Sequence, residues 1–338
     1  MTMHDGHPLG PYIRRFLLEE VVKERNLTRN TQRSYRDSIR LLLQFLHDHH
    51  TIAPTRLTVE EVTATIVRTF LAYIEERRGN SVSTRNQRLA AIRSLFRFIA
   101  RQVPELVDHA SQIHAIPLRR SALPTMSYLD KPEIDALLAV PDRRRSQGQR
   151  DYALLLFLYN TGARASEAAG LTVAAVTLDS PGYVRLLGKG RKTRTCPLWP
   201  HTCKVLRQLL GPRLEGPTDA PVFRNVRGSS ITRFGIHTLV ARTVVKVAKT
   251  MPSLREKRVS PHTIRHTTAV HLLRAGVDIN TIRAWLGHVS LETTNRYAEV
   301  DLEMKAKALE TCAVSSSDCD RNPTWRKDKD LMAFLSSL

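Results

Sequence analysis

No stretch of about 18 consecutive apolar residues occurs in the chain, so the sequence predicts no membrane-spanning helix. The N-terminus, MTMHDGHPLG, has neither a basic nor an apolar segment, so we expect no secretory leader and a cytoplasmic location. Cysteine is scarce, and the cysteines present form no CxxC pair and have no nearby histidine. They are Cys196, Cys203, Cys312 and Cys319. We therefore expect reduced thiols rather than a zinc site or a disulfide framework.

Acidic residues are also few. The chain has 32 Asp and Glu against 52 Lys and Arg, which gives a formal net charge of +20 and a pI near 10.4. A protein that binds a membrane surface concentrates its charge on one amphipathic helix, whereas these basic residues are spread from Arg14 to Lys329. We infer a polyanionic partner, nucleic acid, whose binding weakens steeply with salt.

The length of 338 residues exceeds the usual size of one hydrophobic core and predicts two domains. Residues 10–101 are predicted to be helical throughout, because apolar residues recur at helical spacing in four segments. We expect these segments to form a four-helix bundle. Capping side chains are predicted before three of them: Thr28 or Asn30 before the second, Thr58 before the third, and Ser81 or Ser83 before the fourth.

Long basic side chains lie beside amides at the polar positions of the second and fourth helices. Such pairs suit contacts to DNA phosphates and base edges. The candidate DNA-binding residues are Arg33, Arg36, Arg85, Arg88 and Arg93. The alternative is an ordinary solvated helix face, which the large positive charge disfavours.

Residues 102–125 contain three prolines and no sustained periodicity, and are predicted to be a linker. The second domain is predicted to begin with a helix capped by Asp130, with Pro132 in its first turn. Alternating segments on both sides of Gly188-Lys189-Gly190 predict a β-hairpin with the lysine at its turn. The remaining segments are predicted to be helical. The predicted fold class is therefore mainly α, with a small antiparallel β-sheet in the second domain.

The stretch SPHTIRHTT, residues 260–268, has two histidines four residues apart, a spacing that also occurs in metal sites. A zinc protease motif needs a carboxylate where Thr263 stands, and Arg265 would repel a metal ion. The Ser-Pro pair is suited to begin a helix, so His262 lies in a first turn whose backbone N–H groups favour an anion. His266 shares a face with apolar residues and is predicted to pack in the core. We interpret the stretch as an anion site, and predict no metal.

Cationic side chains accumulate around one tyrosine. An exposed tyrosine is by itself more often a packing residue, but the accompanying set changes that interpretation. The set comprises Arg164, Lys189, His262, Arg265, His288 and Tyr297. It favours phosphoryl transfer to the phenol, because guanidinium groups can neutralise the nonbridging oxygens where no carboxylate cluster is at hand for magnesium.

Three motifs resemble those of the tyrosine recombinases, also called phage-integrase-type site-specific recombinases. TGARASEAAGL resembles the family's first-arginine box, HTIRH its HxxR box, and LGHVSLETTNRY its LGHxxxxTTxxY box with all spacings intact. The motifs occur in the family's order, and the resemblance covers roughly residues 10–310. It implies a core-binding (SAM-like) domain over 10–101, a catalytic domain over 126–310 and a C-terminal tail over 311–338.

The resemblance implies a role for each catalytic residue. Tyr297 would attack the DNA phosphate, making a 3′-phosphotyrosyl link and freeing a 5′-hydroxyl. Arg164 and Arg265 would bind that phosphate, and Lys189 would protonate the leaving 5′ oxygen.

Three further residues complete the implied site. His262 would assist proton transfer at the tyrosine, and His288 would hydrogen-bond the phosphate. Glu167 matches the family's acidic position one turn after the first arginine.

Because the covalent link stores the energy of the phosphodiester, we expect neither ATP nor a metal cofactor. Many relatives have Thr-His after the tyrosine, whereas Ala298-Glu299 follow here; this difference lies outside the catalytic set.

The tail ends in a short amphipathic segment, DKDLMAFLSSL. Family members commonly insert a C-terminal helix into a neighbouring subunit. The resemblance therefore implies a homotetramer assembled by tail exchange on double-stranded DNA with inverted-repeat sites, with no membrane involved, at the nucleoid of the cytoplasm. The alternative is a tail packed on its own subunit. The tail looks more like that of a transposon or insertion-element integrase than that of a chromosomal resolvase.

Two other functions fit part of this pattern. A type IB topoisomerase would use the same nucleophile and similar cations to relax supercoils as a monomer. A non-catalytic DNA-binding protein would use the basic surface alone, with Tyr297 only packed. The three intact motifs favour recombination over both.

Overall fold

The computed structural model describes residues 6–50, 53, 55–120, 126–188 and 192–287. The chain divides into two compact units, Met1–Pro124 and Thr125–Leu338. Each unit has its own hydrophobic core. No described helix is long and apolar enough to cross a membrane.

The N-terminal unit is helical. Its elements are α1 (Leu9–Arg15), a π-helical segment (Phe16–Glu24), α2 (Arg29–His50), α3 (Ala64–Glu76), α4 (Val82–Gln102), a 3₁₀ turn (Pro104–Leu106) and α5 (Val107–His114). Helical periodicity accounts for the packing of α3, where Val67, Phe70, Leu71 and Ile74 recur three and four residues apart and are buried. The helical character predicted for this unit is confirmed, and the four predicted segments correspond to the region from α1 to α4.

Local capping bonds begin two of these helices at predicted residues. Thr28 Oγ1 accepts a bond from Thr31 N at 3.4 Å at the start of α2. Ser81 Oγ accepts one from Thr84 N at 3.3 Å at the start of α4. These bonds satisfy backbone N–H groups that the first turn of a helix leaves without partners.

The predicted cap at Thr58 was wrong. The third helix begins at Ala64, where Thr63 Oγ1 accepts a bond from Ile66 N at 3.3 Å. Thr58 instead donates its hydroxyl to Glu61 Oε2 at 3.0 Å within the preceding turn. Glutamate at the third position after a threonine is a capping signature, and here it closes a turn that does not continue as a helix.

The predicted linker over residues 102–125 was too long. Helix α5 lies inside it, and Leu106, Ala110 and Ile113 are buried in the core of the N-terminal unit. These residues are four and three positions apart, a short helical period that flanking prolines obscure in the sequence.

Residues 116–119 are bound along α4 by side-chain hydrogen bonds. Asn86 Nδ2 donates to the Arg119 carbonyl oxygen at 2.8 Å, and Asn86 Oδ1 accepts from Arg119 N at 3.1 Å. Arg85 Nη1 donates to the Pro117 carbonyl oxygen at 2.9 Å. The chain therefore remains part of the N-terminal unit as far as Arg119.

The C-terminal unit combines helices with a small sheet. Its described helices are α6 (Lys131–Ala139), α7 (Ser146–Thr161), α8 (Ala165–Ala169), α9 (Pro200–Leu210), α10 (Arg233–Val247), α11 (Ser253–Glu256), α12 (Pro261–Arg274) and α13 (Ile279–Leu286). Its described strands are β1 (Val176–Thr177), β2 (Tyr183–Leu187) and β3 (Thr193–Pro197). The strands form an antiparallel sheet in the order β1-β2-β3, with Val184 opposite Cys196. The predicted mainly α fold with a small antiparallel sheet is confirmed.

Helix α7 lies at the centre of this unit. Its residues 153–161 are all buried, as expected for a helix that is apolar on every side. It packs against α6, α9 and α12. Thr268 of α12 donates to the Tyr159 carbonyl oxygen at 2.7 Å, and the Tyr159 hydroxyl lies 2.8 Å from His271 Nδ1. These bonds hold α12 in a defined position along α7.

Two helices begin where the sequence predicted, at Asp130 and at Ser260. The predicted hairpin is also present. Asp130 and Glu133 form a capping box, and Ser260 caps α12 with Pro261 as its first residue. Strands β2 and β3 pair on both sides of the predicted turn.

The Asn86 bonds predict a measurable effect of Asn86→Ala on the 116–119 segment. The variant loses both bonds to Arg119, so we expect trypsin to cleave after Arg119 several times faster and the free energy of unfolding to fall by about 1 kcal/mol. Time-resolved limited proteolysis and chemical denaturation measure the two effects. Gln87→Ala is the matched control, because Gln87 bonds to Ser34 instead. Equal cleavage rates in both variants would contradict the role of Asn86.

Candidate active site

A left-handed turn separates α7 from α8 and places Arg164. Gly162 has φ 59° and ends α7, donating its N–H to the Leu158 carbonyl oxygen at 2.9 Å. A Cβ at this position would lie 2.5 Å from a methyl carbon of Leu286, so only glycine fits. Arg164 follows as the N-cap of α8. Thr161-Gly162 therefore forms a tight turn that faces α13.

Arg164 is held by Glu167. Its backbone N–H donates to Glu167 Oε2 at 2.8 Å, and its Nη1 donates to Glu167 Oε1 at 2.7 Å. The Arg164 side chain remains 35% exposed, whereas the Glu167 side chain is buried. A guanidinium that is fixed on one side and exposed on the other is suited to bind an anion.

A second arginine, Arg194 of β3, binds the same carboxylate. Its Nη1 and Nη2 donate to the two oxygens of Glu167 at 2.9 and 2.7 Å. Burial alone would raise the pKa of Glu167, but the bonds from Arg194 and Arg164 outweigh it and lower that pKa to about 2. Glu167 is thus ionised at neutral pH. Arg194 was not among the predicted site residues, because the alternating polar positions of a hairpin ordinarily face solvent.

Among the predicted cations that the structure describes, Arg265 is the most deeply buried, with 1% of its surface exposed. Its Nη1 donates to the Gly162 carbonyl oxygen at 2.7 Å, and its Nη2 donates to the Leu286 carbonyl oxygen at 2.6 Å. The guanidinium therefore joins the ends of α7 and α13 from its place on α12. Arg164 is two residues after Gly162, whose carbonyl oxygen accepts one of these bonds.

His262 lies at the exposed start of α12, one turn before Arg265. Partial desolvation by the surrounding protein lowers its pKa, and the positive charges of Arg265 and Arg164 lower it further. The imidazole is therefore neutral at pH 7 and has one nitrogen able to accept a proton. Its ring centre lies 4.3 Å from that of His266, which is half-buried rather than fully packed in the core.

Within the described part of the chain, the two histidines belong to no cluster of potential metal ligands. Over residues 6–50, 53, 55–120, 126–188 and 192–287, no group of three or more His, Cys, Asp or Glu side chains could hold an ion. Of the four cysteines, Cys196 and Cys203 lie in these ranges, and both are free and buried.

Three predicted catalytic residues, Lys189, His288 and Tyr297, lie outside the described residues, and the predicted tail over 311–338 does too. The structure does describe the residues that precede two of them. Gly188 donates its N–H to the Lys192 carbonyl oxygen at 2.8 Å, and Gly287 ends α13 with φ 65°.

The predicted DNA-binding arginines of the N-terminal unit differ in their exposure. Arg33 and Arg36 are exposed on α2, whereas Arg88 and Arg93 are half-buried on α4 and bond to Ser38 Oγ and to a backbone carbonyl. Arg85 does not fit the prediction. It is 5% exposed and holds the Pro117 carbonyl, so its role is structural.

Sequence reasoning missed two arginines on α2. Arg29 and Arg40 are exposed, and together with Arg33 and Arg36 they are spaced by four, three and four residues. Residues at this spacing share one face of a helix. The helical period itself was the signal that could have identified them.

Comparison with known proteins identifies both units. Residues 127–304 match the Phage integrase family, and residues 13–103 match the Phage integrase, N-terminal SAM-like domain. A putative integrase/recombinase of Sinorhizobium fredii is 39% identical over 338 residues, which are 100% of each chain. The tyrosine recombinase XerC of Pelobacter propionicus is 34% identical over 298 residues, covering 88% of this chain and 93% of that protein.

Solved structures share the fold. The Tn1549 transposon integrase in complex with transposon right end DNA has a TM-score of 0.67 at 17% identity, covering 91% of this chain and 100% of that one. The XerH site-specific recombinase bound to palindromic difH substrate has a TM-score of 0.66 at 24% identity, covering 86% of this chain and 83% of that one.

The lowered pKa of Glu167 predicts a pH-dependent effect of Glu167→Gln. Because the pKa is lower in the folded state than the ordinary value of 4.5, the carboxylate stabilises the fold fully above that pH and progressively less toward pH 2. We expect the variant to lose on the order of 3 kcal/mol of unfolding free energy at neutral pH, and less at about pH 3. Chemical denaturation at the two pH values measures the difference.

The control for this measurement is Glu256→Gln, which changes an exposed carboxylate of the same unit. Its effect should be small at both pH values. A loss for Glu167→Gln that stays constant down to about pH 3 would show that the carboxylate charge is not the stabilising group.

Proposed function

The chain belongs to the phage integrase family of tyrosine recombinases, and we propose that it is a site-specific DNA recombinase that links DNA covalently to Tyr297. The family match over residues 127–304 carries this proposal, because it includes the positions of the nucleophile and of both arginines. That match confirms the resemblance drawn from the three sequence motifs. The joint attachment of Arg265 and of the Arg164 turn at Gly162 supports the proposal from the geometry.

The proposed reaction exchanges one ester for another on phosphorus. The Tyr297 oxygen forms a bond to phosphorus, and the bond from phosphorus to the 5′ oxygen breaks, leaving a 3′-phosphotyrosyl link. Lys189 supplies the proton to the leaving 5′ oxygen, and His262 assists removal of the phenol proton. The 5′-hydroxyl of a second strand then reverses the reaction and releases the tyrosine. Because one phosphoester replaces another, the cycle as proposed needs neither ATP nor a metal ion.

Positive side chains would stabilise the phosphorane-like transition state in this scheme. Arg164 offers the exposed part of its guanidinium, while Glu167 keeps it oriented. Arg265 lies inside the unit, so the scissile phosphate reaches it only if covering groups move aside when DNA binds. His288 is proposed to hydrogen-bond the same phosphate. The neutral state of His262 at pH 7 suits its proposed part in accepting a proton.

DNA is proposed to contact the basic face of α2 in the N-terminal unit. Arg33 and Arg36 are exposed there, on the same face as Arg29 and Arg40. Their side chains can reach phosphates or base edges of a duplex. Arg88 and Arg93 are placed in the proposed interface as secondary contacts, because their present hydrogen bonds would compete with DNA.

The assembled form is proposed to be a homotetramer on two inverted-repeat sites. Exchange of the C-terminal tail between subunits would make cleavage at Tyr297 depend on assembly. Integration or transposition of a mobile element is the biological process we propose, acting at the nucleoid in the cytoplasm, where the DNA is. A relaxation activity of the type IB topoisomerase kind, or DNA binding without catalysis, is not favoured by the family match.

Covalent adduct formation tests the nucleophile. Duplexes tiled across the DNA that flanks the gene are nicked so that the cleaved strand dissociates, and the protein–DNA adduct is measured on a denaturing gel. We expect the wild type to form an adduct in the presence of EDTA and Tyr297→Phe to form none. Tyr183→Phe, a half-buried tyrosine of β2, should behave as the wild type.

The products distinguish the rival functions. Strands exchanged between two duplexes support recombination, whereas relaxed circles without exchange would indicate a topoisomerase. An adduct that persists in Tyr297→Phe would remove this residue from the mechanism.

The α2 face is tested by the salt dependence of DNA binding. In Arg33→Ala/Arg36→Ala, we expect weaker affinity and a plot of log affinity against log salt that is shallower by about 0.9 for each lost phosphate contact. Fluorescence anisotropy with the same duplexes at several salt concentrations measures the slope. Arg15→Ala is the control, because Arg15 lies on α1 and not on the α2 face; its pairing with Glu19 matches the pairing of Arg36 with Asp37. An unchanged slope in the double variant would place the DNA elsewhere.

A further inference from the structure

Arg194 of β3 makes three hydrogen bonds that join separate parts of the proposed active site. Two go to the oxygens of Glu167, at 2.9 and 2.7 Å, and Glu167 in turn holds Arg164. The third runs from Arg194 Nε to the Trp285 carbonyl oxygen in the last turn of α13, at 2.8 Å. One side chain on the strand after Lys189 therefore contacts the segment that carries Arg164 and the helix that ends just before residue 288.

Two glycines pack close to this side chain. A Cβ at Gly188 would lie 3.7 Å from Arg194 Nη1 and 3.4 Å from Glu167 Oε1. A Cβ at Gly287 would lie 2.9 Å from Arg194 Cδ, closer than a neighbouring residue normally approaches. These glycines immediately precede positions 189 and 288 in the chain. The Arg194 side chain therefore packs tightly against the backbone at Gly287 and is within ordinary contact distance of Gly188.

The end of α13 depends on two arginines. The last carbonyls of a helix have no partners within it, and a cation near that end is favoured by the helix dipole. Arg194 binds the Trp285 carbonyl and Arg265 binds the Leu286 carbonyl. Gly287 then turns the chain in the left-handed conformation. Two guanidinium groups therefore hold the last turn of α13.

Arg194 itself is not placed to bind the scissile phosphate. Its side chain is 9% exposed, and Glu167 occupies both of its terminal nitrogens. The carboxylate also neutralises its charge locally. These features distinguish it from Arg164, which keeps an exposed edge.

We propose that Arg194 is a positioning residue for strand cleavage, which holds Arg164 through Glu167 and the exit of α13 through the Trp285 carbonyl. This inference rests on the proposed function, because the segments it aligns are those that carry the proposed catalytic residues. Arg194 acts on the geometry of the site and makes no contact with the reacting atoms.

The test compares Arg194→Gln with Arg185→Gln as a matched control. Arg185 lies on the neighbouring strand β2, is exposed, and donates to the Ala174 carbonyl oxygen at 3.3 Å. For the folded full-length protein, the rate of adduct formation is measured at saturating nicked duplex, together with DNA affinity and the melting temperature. We expect Arg194→Gln to slow adduct formation about 100-fold, the effect of a displacement of roughly 1 Å in a catalytic group. DNA affinity should change little, and Arg185→Gln should keep the wild-type rate.

A second variant separates positioning from stability. Arg194→Gln leaves a buried carboxylate without its main partner, which by itself destabilises the fold. In Arg194→Gln/Glu167→Gln that unpaired carboxylate is removed, so the melting temperature should rise above that of Arg194→Gln while adduct formation stays slow. Recovery of both would show that the unpaired charge caused the defect and would overturn the proposal. A wild-type rate in folded Arg194→Gln would overturn it as well.

Failure of the proposed function would look different. In that case neither the wild type nor Arg185→Gln would form an adduct on any duplex. Arg194→Gln would then change only the melting temperature. A defect confined to Arg194→Gln and its double variant, with active controls, supports the positioning role specifically.

Discussion

The organisation of the C-terminal unit depends on one buried cation, Arg265. Its guanidinium lies between the carboxyl ends of α7 and α13 and donates to the Gly162 and Leu286 carbonyl oxygens. Taking a guanidinium out of water costs several kcal/mol unless hydrogen bonds and opposite charge compensate. Two helix ends supply carbonyl groups with partial negative charge at the point where the cation lies. The carbonyl groups at these two helix ends therefore help to stabilise a full positive charge in the interior of the unit.

A second layer of charge surrounds this centre. Glu167 is the carboxylate that pairs with Arg164 and Arg194, and these bonds keep it ionised despite its burial. Arg265 adds a third guanidinium group close to this pair, through its bond to the Gly162 carbonyl oxygen. Positive charge that is fixed in place before a substrate arrives suits the stabilisation of an anionic transition state.

The N-terminal unit uses the same residue type in two ways. Arg33 and Arg36 extend from one exposed face of α2, where a polyanion can reach them, and Arg36 also pairs with Asp37. Arg85 is buried and holds the Pro117 carbonyl, so its charge serves the fold. A net charge of +20 favours a nucleic-acid partner as a bulk property, but burial decides which arginines can meet that partner.

What depends on neighbouring residues could be predicted from the sequence. The caps at Ser81, Asp130 and Ser260 and the hairpin around Gly188 arise from bonds between residues a few positions apart, and the motifs around Arg164 and Arg265 identified the family. A local pattern also gave one wrong prediction, the helix cap at Thr58, because the bond between Thr58 and Glu61 closes a turn that does not continue as a helix. The burial of Arg85 and the bonds of Arg194 to Glu167 and Trp285 were decided by tertiary structure alone. These partners are 27 to 91 residues distant along the chain, and no local pattern reports which carbonyl or carboxylate the fold will bring to a given side chain.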